Sequence, residues 1–168
     1  LESGIKPNIT HVKLAELEKQ GKLLAVVTQN IDGLHQAAGS KKVFELHGSV
    51  LRNYCTKCGE FYDEKYIASH SDQDGLPLCE KCGSLIKPDV VLYEESLKDE
   101  IVSGAIKAIG GADLLIIGGT SLTVYPAAGM IHYFRGEYIG LISRDPTPSD
   151  GIANLVLHES LGNVFSKL

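Results

Sequence analysis

Short apolar runs alternate with amphipathic stretches along the whole chain, and their spacing predicts strands and helices in turn. Residues 7–20 read as a helix opened by Pro7-Asn8, with Leu14 and Leu17 on one face, charged Lys13, Glu16, Glu18 and Lys19 around it, and Gly21 as its stop. A strand over 23–27, a short helix over 34–38 ended by Gly39, and a strand over 43–46 follow, the last delivering His47-Gly48. Residues 51–54 lead into Cys55, after which the pattern turns short, polar and glycine-containing up to Cys82. Within that stretch 62–68 is a brief helix or strand and 69–75 a polar loop tip. Strand character resumes over 88–93. A helix over 98–109 aligns Ile101, Ala105 and Ile109 before Gly110-Gly111, and 112–117 is the clearest buried strand, running into Gly118-Gly119-Thr120-Ser121. A helix over 126–134 starting at Pro126, a strand over 138–142, a turn-rich segment over 143–148, a strand over 155–157 and a terminal helix over 162–168 complete the chain.

Strands alternating with helices imply an α/β fold with a parallel sheet. The polar segment divides it, giving Rossmann-like parts at 1–50 and 89–168 and a small module at 51–88 that needs a staple in place of a core. A doubly wound domain does not begin on a helix lacking its preceding strand, so the chain is expected to enter its fold part-way.

Composition narrows the function classes. The 168 residues suffice for one real core, and 43% hydrophobic residues with mean hydropathy +0.02 describe a soluble globular protein. A net charge of −5 argues against a nucleic-acid surface. No apolar run reaches the roughly 18 residues of a membrane span, and no basic-then-apolar leader is present, which reads as a cytoplasmic chain without a membrane partner. In such a compartment the pairs Cys55-x-x-Cys58 and Cys79-x-x-Cys82, with 20 residues between them, point to one tetrahedral Zn2+; redox pairs are the competing reading. Four thiolate ligands leave no open coordination position, so this zinc is structural.

Three further groups carry candidate chemistry. Thr28-Gln29-Asn30-Ile31-Asp32-Gly33-Leu34-His35 lies where a buried strand ends, the place at which open α/β sheets bind ligands. Gln29 and Asn30 donate and accept hydrogen bonds, Asp32 holds a cationic or amide-bearing group, and Gly33 frees the turn; an ordinary polar loop is the alternative. Gly118-Gly119-Thr120-Ser121 offers small residues and hydroxyls to a phosphate or ribose, or is simply a turn, since no Gly-x-Gly-x-x-Gly fingerprint occurs. His47, at a strand end beside Gly48, suits a general base as well as a structural role.

Together these motifs resemble the sirtuin family of NAD-dependent protein deacylases, in its bacterial type. Thr28 to His35 matches the family's central motif and Glu45-Leu46-His47-Gly48 its catalytic-histidine motif. The four cysteines, Lys87-Pro88-Asp89-Val90-Val91, Gly119-Thr120-Ser121-Leu122 and Pro126-Ala127-Ala128 follow in family order. The resemblance implies NAD across the carboxyl edge of the sheet and an acyl-lysine substrate whose carbonyl oxygen attacks the nicotinamide ribose. Gln29, Asn30 and Asp32 would hold the nicotinamide and its ribose, while Gly119, Thr120 and Ser121 would bind the adenosine half, with Ser143 standing where the family usually has Asn. His47 would take a ribose hydroxyl proton so that the acyl group passes to ADP-ribose. Val90, Val91, Leu92 and Tyr93 would form the edge to which a substrate peptide adds as a strand. The family's first strand with its Gly-Ala-Gly phosphate-binding loop, and its Ile-Pro-Asp-Phe-Arg stretch, do not occur among these residues. The 168-residue chain alone is therefore expected to bind NAD poorly, to show no deacylation and to leave apolar sheet surface uncovered. Transfer of ADP-ribose to protein, and a non-catalytic zinc-ribbon binding module, are the rival functions.

Overall fold

Asn8 opens the first helix by capping it. In the computed structural model, which describes residues 4–70, 75–92, 94–125 and 127–168, its side chain accepts the His11 N–H and the His11 ring returns to the Asn8 N–H. The helix, α1 (Ile9–Lys19), buries Thr10 and His11 most deeply and leaves Leu14 and Leu17 half-buried, because its N-terminal end is the part pressed on neighbouring helices. β1 (Val26–Thr28) pairs in parallel with β2 (Val43–Glu45), and the short helix α2 (Leu34–Ala37) lies in the crossover between them. From β2 the chain turns directly into β3 (Gly48–Cys55), β4 (Phe61–Asp63), α3 (Glu64–Ser69) and β5 (Ile86–Val90), forming an antiparallel sheet of order β4-β3-β5. The second parallel sheet holds β6 (Leu114–Gly118), β7 (Tyr138–Ile142) and β8 (Leu155–Leu157). Helices α4 (Asp99–Gly110), α5 (Ala127–Met130) and α6 (Leu161–Phe165) accompany it.

Among the described residues no ladder joins the two parallel sheets, yet one core serves both. Ala105 and Ile109 of α4 bury against Leu46 and Met130, with Val27 and Phe44 from the first sheet and Leu115 from the second packed around them. Gly104 lets α4 come this close, since a Cβ there would stand 2.3 Å from the Phe44 ring. The α/β architecture with a small cysteine-bearing insert is thus the one expected.

Several elements differ in detail. The strand expected over 88–93 is β5, which starts earlier, at Ile86, and runs antiparallel to β3 because its ladder partners, Cys55 opposite Ile86 through Gly48 opposite Val90, lie there. Pro88 is tolerated because β5 is an edge strand. β6 is not fully buried: Leu115 and Ile117 face the core, whereas Leu114 and Ile116 are 50% and 42% exposed, because packing covers one face of the strand more than the other. Residues 62–68 hold both a strand and a helix, α3 being capped by Asp63. Pro126 lies outside the described residues, and the helix after it ends as a 3-10 turn over Ile131–Tyr133.

A cluster of ions ties the antiparallel sheet to the first parallel one. Glu45, 7% exposed at the end of β2, accepts a 2.8 Å hydrogen bond from Arg52 Nη1; Arg52 Nε donates to Asp89 at 3.1 Å, and Lys98 Nζ reaches the other Asp89 oxygen at 2.6 Å. Burial by itself would raise the Asp89 carboxyl, but bonds from Lys98 and Arg52 outweigh it and hold the group below its ordinary 3.8. A folded-state pKa lowered in this way contributes stability above the unfolded value, and that contribution is lost as pH falls through the folded one. Arg52→Met is expected to cost roughly 2–3 kcal/mol in urea unfolding at pH 7, less than a fully buried pair because the guanidinium is part-exposed. The deficit should shrink as pH falls below about 4, where Asp89 protonates in the unfolded chain.

Candidate active site and metal centre

Where β1 ends, the polar turn is built on its own side chains. Thr28 Oγ1 accepts the Asn30 N–H at 3.0 Å, and Asp32 Oδ1 accepts the Leu34 N–H at 2.9 Å, at the mouth of α2. Gly33 stands there at φ +70, and a Cβ on it would lie 2.3 Å from Leu51 Cδ1. The rings of His11 and His35 sit 4.6 Å apart behind the turn. Burial lowers both histidines from their ordinary 6.5; His11 adds to the fall at His35, while Asp32 opposes it at each.

His47 joins this turn directly. Its Nδ1 lies 3.1 Å from the Gln29 carbonyl oxygen. A carbonyl only accepts, so in the neutral ring Nδ1 carries the hydrogen and Nε2 keeps its lone pair, the arrangement a general base needs. The next residue secures the geometry. Gly48 has φ +76, and a Cβ there would stand 1.9 Å from the Asp89 carbonyl oxygen, so β5 passes where any side chain would be. β3 then bulges: Ser49 pairs with Asp89, but the next pair is Asn53 with Pro88. The displaced residues clasp the polar turn, with Val50 N–H on the Ile31 carbonyl at 3.1 Å, Leu51 over Gly33 and Arg52 in the ion cluster. Gln29, Asn30 and Asp32 thereby stand on one turn at the end of β1, with His47 bonded to that turn from the end of β2.

The other predicted ligand residues form a second group, at the ends of β6 and β7. Gly119, Thr120, Ser121 and Ser143 line one cleft of about 430 Å³ with Arg144, Thr147 and Glu159, within the size range of small-molecule sites. Gly118 and Gly119 let Leu161, which walls this cleft, pack against the end of β6: Cβ atoms on them would meet its side chain at 2.5 and 3.2 Å. Thr120 Oγ1 accepts the Leu122 N–H at 3.1 Å, and Ser121 and Thr123 hydroxyls lie 2.8 Å apart. Leu122 holds φ +53, an uncommon conformation for a bulky residue and a mark of a tightly determined loop. The glycine cradle, the hydroxyls and the cleft volume fit part of a dinucleotide.

At the edge of the antiparallel sheet, Val90 closes β5, Val91 N–H donates to the His47 carbonyl at 3.0 Å, and Leu92 is 54% exposed. Tyr93 lies outside the described residues.

The four cysteines converge. All their sulfurs lie within 4.8 Å of one another, with Cys55 to Cys82 at 3.4 Å and Cys58 to Cys79 at 3.5 Å, and none is in a disulfide. A tetrahedral zinc with bonds of about 2.3 Å sets its sulfurs about 3.8 Å apart, so the four residues fit that ion and leave it closed. Gly59 and Gly83 follow the second cysteine of each knuckle at φ +72 and +68, and their N–H groups bond Cys55 and Cys79 carbonyls. The Tyr62 hydroxyl, 3.1 Å from Cys79 Sγ, and then the Cys82 backbone and the neighbouring thiols, hold that thiol below its ordinary 9.0 against the opposing effect of burial.

Residues 1–126 match the family model described as the Sir2 family. The chain belongs to the Sir2 (sirtuin) family. It is 61% identical over 164 residues to an NAD-dependent protein deacetylase of Clostridium perfringens, covering 97% of this chain and 66% of that protein. A second, from Clostridium acetobutylicum, is 56% identical over 160 residues, 95% of this chain and 64% of the relative. The chain thus spans just under two thirds of the length of these curated relatives. Among solved structures, a Sir2 complex with a p53 peptide and NAD+ aligns with TM-score 0.89 at 40% identity, over 96% of this chain and 68% of that one. Sir2 bound to an acetylated peptide aligns with TM-score 0.89 at 39% identity, over 96% and 69%.

Within this Sir2 chain, sequence reading assigned no role to the ion cluster or to Tyr62. Glu45 and Asp89 stood inside quoted motifs, and a carboxylate in the apolar run Val-Phe-Glu-Leu is itself a signal, because a buried charge demands a partner. That the partner is Arg52 follows only from the bulge. Gly48→Ala is expected to lower unfolding free energy by at least about 3 kcal/mol, combining backbone strain with collision against Asp89. Gly21→Ala, at similar φ in open space, should cost about 1 kcal/mol, and chemical denaturation of the two variants measures the difference.

Proposed function

We propose that this chain carries the His47 half and the adenosine half of an NAD-dependent protein-lysine deacylase, which yields nicotinamide and O-acyl-ADP-ribose, acetyl being the acyl group. The observation that carries the reading is the His47 imidazole held at Nδ1 by the Gln29 carbonyl, at the carboxyl ends of β1 and β2. The printed activity of the relatives supports it. NAD, when bound, supplies the ribose carbon that nicotinamide leaves and the ribose hydroxyl that accepts the acyl group.

The chain's residues divide the remaining work. Gln29, Asn30 and Asp32 orient the nicotinamide ribose. Nε2 of His47 removes the hydroxyl proton, and Nδ1 disperses the resulting positive charge onto the Gln29 carbonyl. Thr120, Ser121 and Ser143 receive the adenosine ribose over the Gly118-Gly119 cradle. The edge of β5, unpaired among the described residues, takes the acyl-lysine peptide as an added strand along Val90, Val91 and Leu92. Zinc at Cys55, Cys58, Cys79 and Cys82 performs no chemistry; it holds the small sheet from which β5 projects. The unpaired thiols and the net charge of −5 support a cytoplasmic protein whose partners are proteins, with neither nucleic acid nor membrane among them. No helix among the described residues is long and apolar enough to cross a membrane.

The test uses a form spanning the full length of the relatives, incubated with NAD and an acetyl-lysine peptide. Nicotinamide and O-acetyl-ADP-ribose should appear in equal amounts, and His47→Ala should lower turnover by roughly 100- to 10,000-fold. ADP-ribosylated protein without O-acetyl-ADP-ribose would replace this reading by transfer to protein, and indifference to His47→Ala would remove catalysis altogether.

A further inference from the structure

We infer that the Tyr62 hydroxyl is a built-in hydrogen-bond donor to the Cys79 thiolate, so that a side chain of β4 governs how tightly the four-cysteine site keeps its metal. The inference rests on the fit of the four sulfurs to zinc and is independent of the deacylase reading.

The direction of the bond follows from its neighbours. Tyr62 is the inward residue of β4, with exposed Phe61 and Asp63 on either side, and is 7% exposed. A phenol so buried requires partners, and it has two: Cys79 Sγ at 3.1 Å and the Glu80 N–H at 3.1 Å. An amide N–H can only donate, so the phenolic oxygen accepts from Glu80 and its single hydrogen is left for sulfur. A metal-bound thiolate can only accept, so the two groups are complementary once the site is loaded.

The ring has little freedom to turn away. Tyr62 pairs with Asn53 in the ladder, the Asn53 amide donates to its carbonyl at 3.4 Å, and the Tyr66 ring packs on it at 4.4 Å. Cys55 takes the Lys57 and Cys58 amides of its own knuckle at 3.4 and 3.5 Å. Any knuckle of that shape offers those amides. Cys79 likewise has the Cys82 amide of its own knuckle, and in addition a donor from β4, which couples the second knuckle to that strand. Such a bond holds the sulfur in the orientation that the metal needs and lowers its reactivity toward oxidants, and outer partners of metal ligands typically change affinity by about 10- to 100-fold.

Tyr66 supplies the control, because its hydroxyl donates to the Leu78 carbonyl at 2.9 Å and the removal of that oxygen touches the same aromatic cluster. Zinc content of the purified full chain comes first; one zinc per chain is expected. Transfer of that zinc to a chromophoric chelator should run about ten-fold faster in Tyr62→Phe than in the wild type, and at the wild-type rate in Tyr66→Phe. In the 113Cd-loaded wild type, a hydroxyl proton scalar-coupled to cadmium should be visible by NMR, which needs no variant to fold. A chain that takes up no zinc overturns the metal site and this inference together. A loaded chain in which Tyr62→Phe releases zinc at the wild-type rate, in which Tyr66→Phe is accelerated equally, or in which no hydroxyl proton couples to cadmium, overturns the role of Tyr62 alone.

Discussion

The closest backbone approach at the candidate site is where β5 crosses Gly48, so near that a single added carbon would lie 1.9 Å from the Asp89 carbonyl oxygen. The surroundings of His47 are shaped by that contact. It forces the left-handed turn immediately after His47, sets the first pairs of the antiparallel ladder, and leaves β3 with surplus residues before Asn53 pairs with Pro88. Of those surplus residues, Val50 and Leu51 reach the polar turn and Arg52 reaches the carboxylates of Glu45 and Asp89. A glycine chosen for lack of volume thus converts a simple strand junction into the clasp that fixes the polar turn beside the imidazole.

The clasp is polar, and its energetics explain its form. Glu45 is nearly inaccessible to water and Asp89 is largely buried, so each requires a cation. One guanidinium serves both because its fork presents separate N–H groups to two carboxylates, which a lysine ammonium at position 52 would do with poorer direction. Such a network adds modestly to stability, since desolvation offsets much of the attraction. Its geometric effect is larger: it joins the end of β2, the bulge of β3 and the edge strand β5.

The small antiparallel sheet has a different basis. Its core cluster consists of Cys55, Tyr62, Cys79 and Ile86 with Tyr66 and Ile67 packed against them, so two of its four buried residues are metal-ligand candidates. A module of this size cannot offset its ordering entropy by apolar contact alone, and the four converging sulfurs fill the deficit. Tyr62 belongs to both the apolar cluster and the polar surroundings of the sulfurs. The shape of β5, and with it the edge beside His47, therefore depends on a metal site to which it contributes no ligand.

Local pattern settled a good deal. The alternation of apolar runs and amphipathic stretches placed most helices and strands to within a few residues, and cysteine spacing alone pointed to a shared tetrahedral site, because ligand spacing in a knuckle is a local property. The motifs around Asn30, His47 and Gly119 were enough to indicate the Sir2 family. Long-range contact decided the rest. Strand direction at β5, the half-open face of β6, the pairing of Arg52 with Glu45 and Asp89, and the reach of Tyr62 to Cys79 all join residues distant in the chain, and no periodicity encodes which partner the backbone will bring. Apolar alternation specifies that a segment is a strand; only the packed protein determines what lies against each of its faces.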